Sequence, residues 1–201
     1  MSAPGTSSSR WGQPVAVLSE RTNPWNSDVS TVATIKSLRR YAHQYTSDPS
    51  VRAATAHALQ ALPPSASQRD IACAIFYWVR SSVQFIEDEQ LLYEELGVMP
   101  AHLDKELLII PPVLLAMPQP MGDCDDFSLL MASMALAAGI QPYFVTVAAN
   151  QTQPRKFSHI YVCVYLEDED DHLCLDAGNR YANIPPGWES DNVMRKAIWP
   201  I

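Results

Sequence analysis

The 201-residue chain carries 14 Lys and Arg against 22 Asp and Glu, a formal net charge of −8, and is 47% hydrophobic. At this length a single domain buries roughly 70% of the surface its unfolded chain exposes, and the acidic balance argues against nucleic acid as a main partner. No run of about 18 apolar residues is present to span a membrane, and residues 1–18 lack the basic start and apolar core of a signal peptide. Cys73, Cys124, Cys163 and Cys174 are therefore expected as reduced thiols in a cytoplasmic setting.

Residues 1–27, rich in Ser, Pro and Gly, read as an N-terminal arm or linker whose order would need an outside contact. Residues 28–201 read as one domain with a less regular C-terminal tail. From Asp28 to Tyr45, the residues Val32, Ile35, Leu38, Tyr41 and Tyr45 fall at helical spacing. Asp48-Pro49 then supplies an N-cap and first helical position, and Pro63-Pro64 ends that second helix. Ser67 with Asp70 makes a capping-box start for a third, whose stripe is Ile71, Ile75, Trp78 and Val79. Val83–Ile86 suggests a short strand and Leu91–Leu96 a helix, while Pro100, Pro111, Pro112, Pro118 and Pro120 are expected to break the approach to Gly122 into turns.

Gly122-Asp123-Cys124-Asp125-Asp126-Phe127 puts a cysteine where a loop turns into an apolar helix that Gly139 stops. A thiolate there is favoured by the helix dipole and by free backbone N–H groups, although the neighbouring aspartates oppose it. Tyr143–Ala148 reads as a strand. Phe157–Leu166 alternates, with Phe157, His159, Tyr161, Cys163 and Tyr165 on one face. The acidic run Glu167–Asp171 reads as a hairpin tip, and His172, Cys174 and Asp176 share a face of the returning strand. A register with His159 directly opposite Asp176 leaves Leu166–Glu169 as a four-residue loop and lets the carboxylate orient the imidazole toward Cys124. Cys124, His159 and Asp176 are thus the candidate nucleophile, base and orienting acid.

The Gly122–Phe127 motif, the Gly139-Ile140 helix end, Phe157-Ser158-His159-Ile160-Tyr161-Val162 and Leu175-Asp176-Ala177 together resemble the transglutaminase-like superfamily of papain-like cysteine enzymes, over roughly Ser67–Ala177. Bacterial and phage-encoded members with a Gly-Asp-Cys-Asp-Asp core are the most similar. The resemblance implies an α+β fold with a central helix packed on a largely antiparallel sheet. It also implies a thioester intermediate at Cys124, with His159 as base and Asp176 as its partner, and no cofactor. The expected activity is acyl transfer on a peptide or amide substrate, with hydrolysis preferred to amine transfer because water needs no second binding site. Gln119 is a candidate oxyanion-hole side chain by its nearness in sequence.

Two other readings compete. His159, Cys163, His172 and Cys174 on one hairpin face form a set of soft donors suited to tetrahedral zinc, though without the spacing of a zinc ribbon or finger. A non-catalytic structural protein of a phage-like assembly, virion-associated and docking through the N-terminal arm, would retain the same fold.

Overall fold

The computed structural model describes residues 17–18, 27–88, 90–91, 106–179 and 184–201. In chain order the elements are β1 (Val17–Leu18), α1 (Ser27–Tyr45), α2 (Pro49–Leu59), α3 (Gln68–Ser82), β2 (Gln84–Phe85), β3 (Glu106–Leu107), α4 (Pro111–Ala116), β4 (Met121–Gly122), α5 (Cys124–Ala137), β5 (Gln141–Ala148), β6 (His159–Leu166), β7 (Asp171–Leu175) and β8 (Arg195–Pro200). The result is α+β, with an antiparallel sheet ordered β7-β6-β5-β8. Val17–Leu18, inside the expected arm, pairs with Leu107–Glu106 of the same chain; the rest of residues 1–26 lies outside the described residues.

Local chemistry explains the helix starts. Asp48 caps α2 by accepting from Ser50 N, with Pro49 at the first turn. At α3, Ser67 and Asp70 close a reciprocal capping box. Pro111 and Pro112 start α4 rather than break the chain into turns, because a first helical turn has no use for the N–H that proline lacks. Of the helix expected over Leu91–Leu96, the part beyond Leu91 lies outside the described residues.

α5 is buried continuously from Asp125 to Ala135. Such a helix has no solvent face to keep polar, so it serves as the axis against which α1, α2, α3, β6 and β5 all pack. Its buried hydroxyls are satisfied internally: Ser133 Oγ donates to Leu129 O at 2.8 Å. The helix ends at Ala137, and Gly139, at φ +78°, takes the left-handed turn that lets Ile140 re-enter the core.

The sheet has two unequal faces. Ile160, Val162, Val164, Leu166, Leu173 and Leu175 join the main core under α5, whereas Tyr161, Cys163 and Cys174 form a smaller cluster with Val145 and Val147 on the other face. The β6–β7 register differs from the expected one by two residues: Leu166 pairs with Asp171 and Val162 with Leu175, so the loop is Glu167–Asp170. An even slip keeps every side chain on its face, and this one brings fully buried Leu166 into the ladder. It also sets Cys163 directly opposite Cys174, and the two are joined as a disulfide. The expectation of four reduced thiols is thereby corrected, and with it the cysteine argument for a cytoplasmic setting; Cys73 and Cys124 are not disulfide-bonded. Among the described residues no helix is long and apolar enough to cross a membrane.

The tail expected to be irregular contributes the edge strand β8. Its Trp199 Nε1 donates to Thr146 Oγ1 at 2.9 Å, and Pro200 is tolerated because an edge strand need not donate on its open side.

Candidate active site at the start of α5

Cys124 is the first residue of α5, and Asp123 is its N-cap. The Asp123 carboxylate accepts from Asp125 N at 3.1 Å, while Asp126 reaches back to Asp123 N at 3.2 Å and also accepts from Ile109 N at 2.6 Å. In this second capping box Asp126 is 0% exposed, while Asp123 is half-buried at the cleft. Burial pushes the Asp126 carboxyl well above the usual carboxylate range, nearby Asp123 and Asp88 push it further, and the two backbone N–H groups only partly offset them. Burial thus disfavours the Asp126 carboxylate, and this one of the three acids around Cys124 opposes a thiolate less than the sequence alone suggests. Gly122 makes the arrangement possible, because a Cβ there would lie 2.4 Å from Asp126 Oδ2.

The other two predicted residues meet at the open end of the hairpin. His159 Nε2 lies 2.9 Å from both Asp176 oxygens. Asp176 sits one residue past β7; continuing the register would place it opposite Tyr161, so it reaches His159 diagonally rather than from directly across. It is only 4% exposed, whereas the His159 side chain is 20% exposed. A carboxylate can only accept, so the tautomer that satisfies this pairing has its proton on Nε2, and Nδ1 is the nitrogen that Asp176 does not engage.

Two contacts bring the hairpin to the helix, and a third braces the turn itself. Ser128 Oγ donates to Cys124 O at 2.6 Å and lies 3.3 Å from Ile160 O, linking the first turn of α5 to the strand residue beside His159. Gly178, two residues beyond Asp176, packs so closely that a Cβ would stand 3.3 Å from Cys124 Cα. Asn179 Nδ2 donates to Asp176 Oδ2 at 2.7 Å. Sequence reading missed Gly178 and Asn179; the Asp176-Ala177-Gly178-Asn179 turn signature was the available hint.

All three predicted residues border one open cleft of about 1000 Å³ around this end of the sheet. Phe85, Tyr161, Lys156, Trp188 and Glu189 also line it. Phe85 is positioned by the parallel pairing of β2 with β4, which sets it beside Gly122. Tyr161 Oη donates to Glu189 Oε1 at 2.5 Å, and Lys196 pairs with the same oxygen. Burial raises the Tyr161 hydroxyl far above its ordinary value, with the Glu189 charge adding to the effect. For Glu189, burial is outweighed by the bonds from Lys196 and Tyr161, which hold its carboxyl below the usual range. Gln119 does not border the cleft; its Nε2 donates to Gln84 Oε1 at 2.6 Å.

The zinc set does not assemble as four free donors, since Cys163 and Cys174 are bonded to each other, His159 is held by Asp176, and His172 Nδ1 lies 3.1 Å from Tyr143 Oη. Carboxylates of Asp88, Asp123 and Asp126 converge within 4.8 Å. Backbone N–H groups hold them, Leu107 N donating to Asp88 Oδ2 at 2.7 Å. No protein-family model matches the chain, and no curated protein matches it.

Proposed function

We propose that the protein is a thiol-dependent acyl-transfer enzyme of papain-like, transglutaminase-like type, acting on amide bonds. The observation that carries this reading is the pairing of His159 Nε2 with both oxygens of buried Asp176, in the same cleft as a cysteine at a helix N-terminus. Cys124 Sγ attacks the amide carbon as its proton passes to His159 Nδ1; the imidazolium returns that proton to the leaving amine, and a thioester remains. Water, deprotonated by the same imidazole, then adds to the thioester and releases the acid and the thiol. Asp176 fixes the ring and stabilises its cation without taking the proton. The Cys124 backbone N–H, at the positive end of α5, serves as one oxyanion donor. Hydrolysis is favoured over amine transfer because the cleft is open and lined by polar groups that admit water.

Alkylation tests the site without a known substrate. At about pH 6, iodoacetamide is expected to label Cys124 before Cys73, whose thiol burial pushes up. His159→Ala should slow that labelling. Equal rates at the two cysteines, or a Cys124 rate indifferent to His159, would leave a non-catalytic protein that retains the fold. A screen of peptide, isopeptide and cell-wall amides, with Cys124→Ala as the blank, would then identify the substrate.

A further inference from the structure

The hydrogen bonds around Asp176 extend beyond His159. Its Oδ2 accepts from Asn179 Nδ2 at 2.7 Å as well as from the imidazole, so the carboxylate is gripped from two sides. Asn179 is itself half-buried and is held by its backbone: its N–H donates to Asp176 O at 3.3 Å, closing the turn. The turn is clamped from outside by α3, where Arg80 Nη1 donates to Ala177 O at 3.1 Å and lies 3.3 Å from Asn179 O. On its inner side, Gly178 rests against Cys124 and Phe127. A carboxylate with a single partner can rotate about its χ2 torsion, which is broad; one held by a second, charge-assisted donor cannot do so without breaking it.

We propose that Asn179 is a positioning residue, which fixes the Asp176 carboxylate so that both its oxygens face His159 Nε2, with Arg80 holding the turn that presents it. Its consequence for catalysis rests on the thiol–imidazole reading above, but the positioning does not. Asn179 is assigned no step in the chemistry, and its effect on His159 is routed through Asp176. Truncation to alanine leaves the backbone bonds of the turn and the Arg80 clamp in place, because these use main-chain atoms of residues 176–179.

The test is solvent exchange of the His159 Nε2 proton, followed by NMR on the full chain carrying ¹⁵N-histidine and assigned by its absence in His159→Gln. Asn179→Ala is expected to speed that exchange roughly tenfold, as loss of one charge-assisted hydrogen bond allows, and to slow iodoacetamide labelling of Cys124 by less than His159→Ala does. In an Asp176→Ala background the same substitution should add nothing. Unchanged exchange in Asn179→Ala, or an acceleration that persists without Asp176, would overturn the proposal even where Cys124 labelling depends on His159. Faster exchange combined with labelling indifferent to His159 would uphold Asn179 and overturn the acyl-transfer reading instead.

Discussion

At α3, Ser67 and Asp70 close a capping box at the surface; at α5, half-buried Asp123 and fully buried Asp126 close another. The local hydrogen bonds are the same in kind, each N-cap side chain bonding an N–H within the first turn while the third helical residue reaches back to the N-cap N–H. The electrostatic outcomes are opposite. The bonds from Ser67 lower the Asp70 carboxyl, whereas burial raises that of Asp126. Identical capping chemistry thus favours the carboxylate at a solvated helix start in one place and disfavours it at a buried acid in the other. The start with the buried acid is the one that carries a cysteine.

The strongest way to break this comparison is to remove the two reaching acids in turn. Asp126→Ala strands the Ile109 and Asp123 N–H groups, the first of them on a fully buried residue, and is expected to cost about 3 kcal/mol in urea unfolding. Asp70→Ala, at the surface, should cost much less because water replaces the lost partner. Gly122→Ala should approach the Asp126→Ala effect by forcing a Cβ into the space of Asp126 Oδ2. Equal losses at the two boxes would mean that burial does not distinguish them.

Acid dependence sharpens the contrast, since the signs differ. Between the unfolded-state value of about 3.9 and its raised native value, Asp126 keeps a proton that the unfolded chain releases. Stability therefore falls as pH rises through that window, with a slope approaching about 1.4 kcal/mol per pH unit. Asp70 has its native value lowered, so its contribution is present above the unfolded-state value and is lost as pH falls through the native one. Unfolding free energies measured from pH 3 to 7 should show Asp126→Asn removing part of the decline toward neutral pH, and Asp70→Asn removing part of the loss in acid. The smallest expected effect is that of Ser67→Ala, about 1 kcal/mol, the ordinary cost of losing a helix cap.

Much of this molecule is written in short-range code. The caps at Asp48, Ser67 and Asp123 and the stop at Gly139 involve residues no more than a few positions apart, so their geometry follows from the chain itself. The alternation from His159 to Leu166 likewise assigns faces correctly, because the period of a strand is local. The same reasoning marked Cys124, His159 and Asp176 as residues to watch, and the structure places all three around one cleft.

What sequence alone could not decide is whatever depends on distant partners. Two hairpin registers, two residues apart, keep the same faces and the same loop length, so periodicity cannot choose between them; the choice comes with burying Leu166 and joining Cys163 to Cys174. The strand β8 has no period of its own and exists by pairing with β5. Asn179 and Arg80 acquire their places only when α3 meets the turn after β7, nearly a hundred residues away. Asp126 shows the division most plainly: its reach to the Asp123 N–H is fixed by a three-residue spacing, but whether its carboxyl is charged depends on what the rest of the fold lays over it, since desolvation is a property of surroundings and not of sequence.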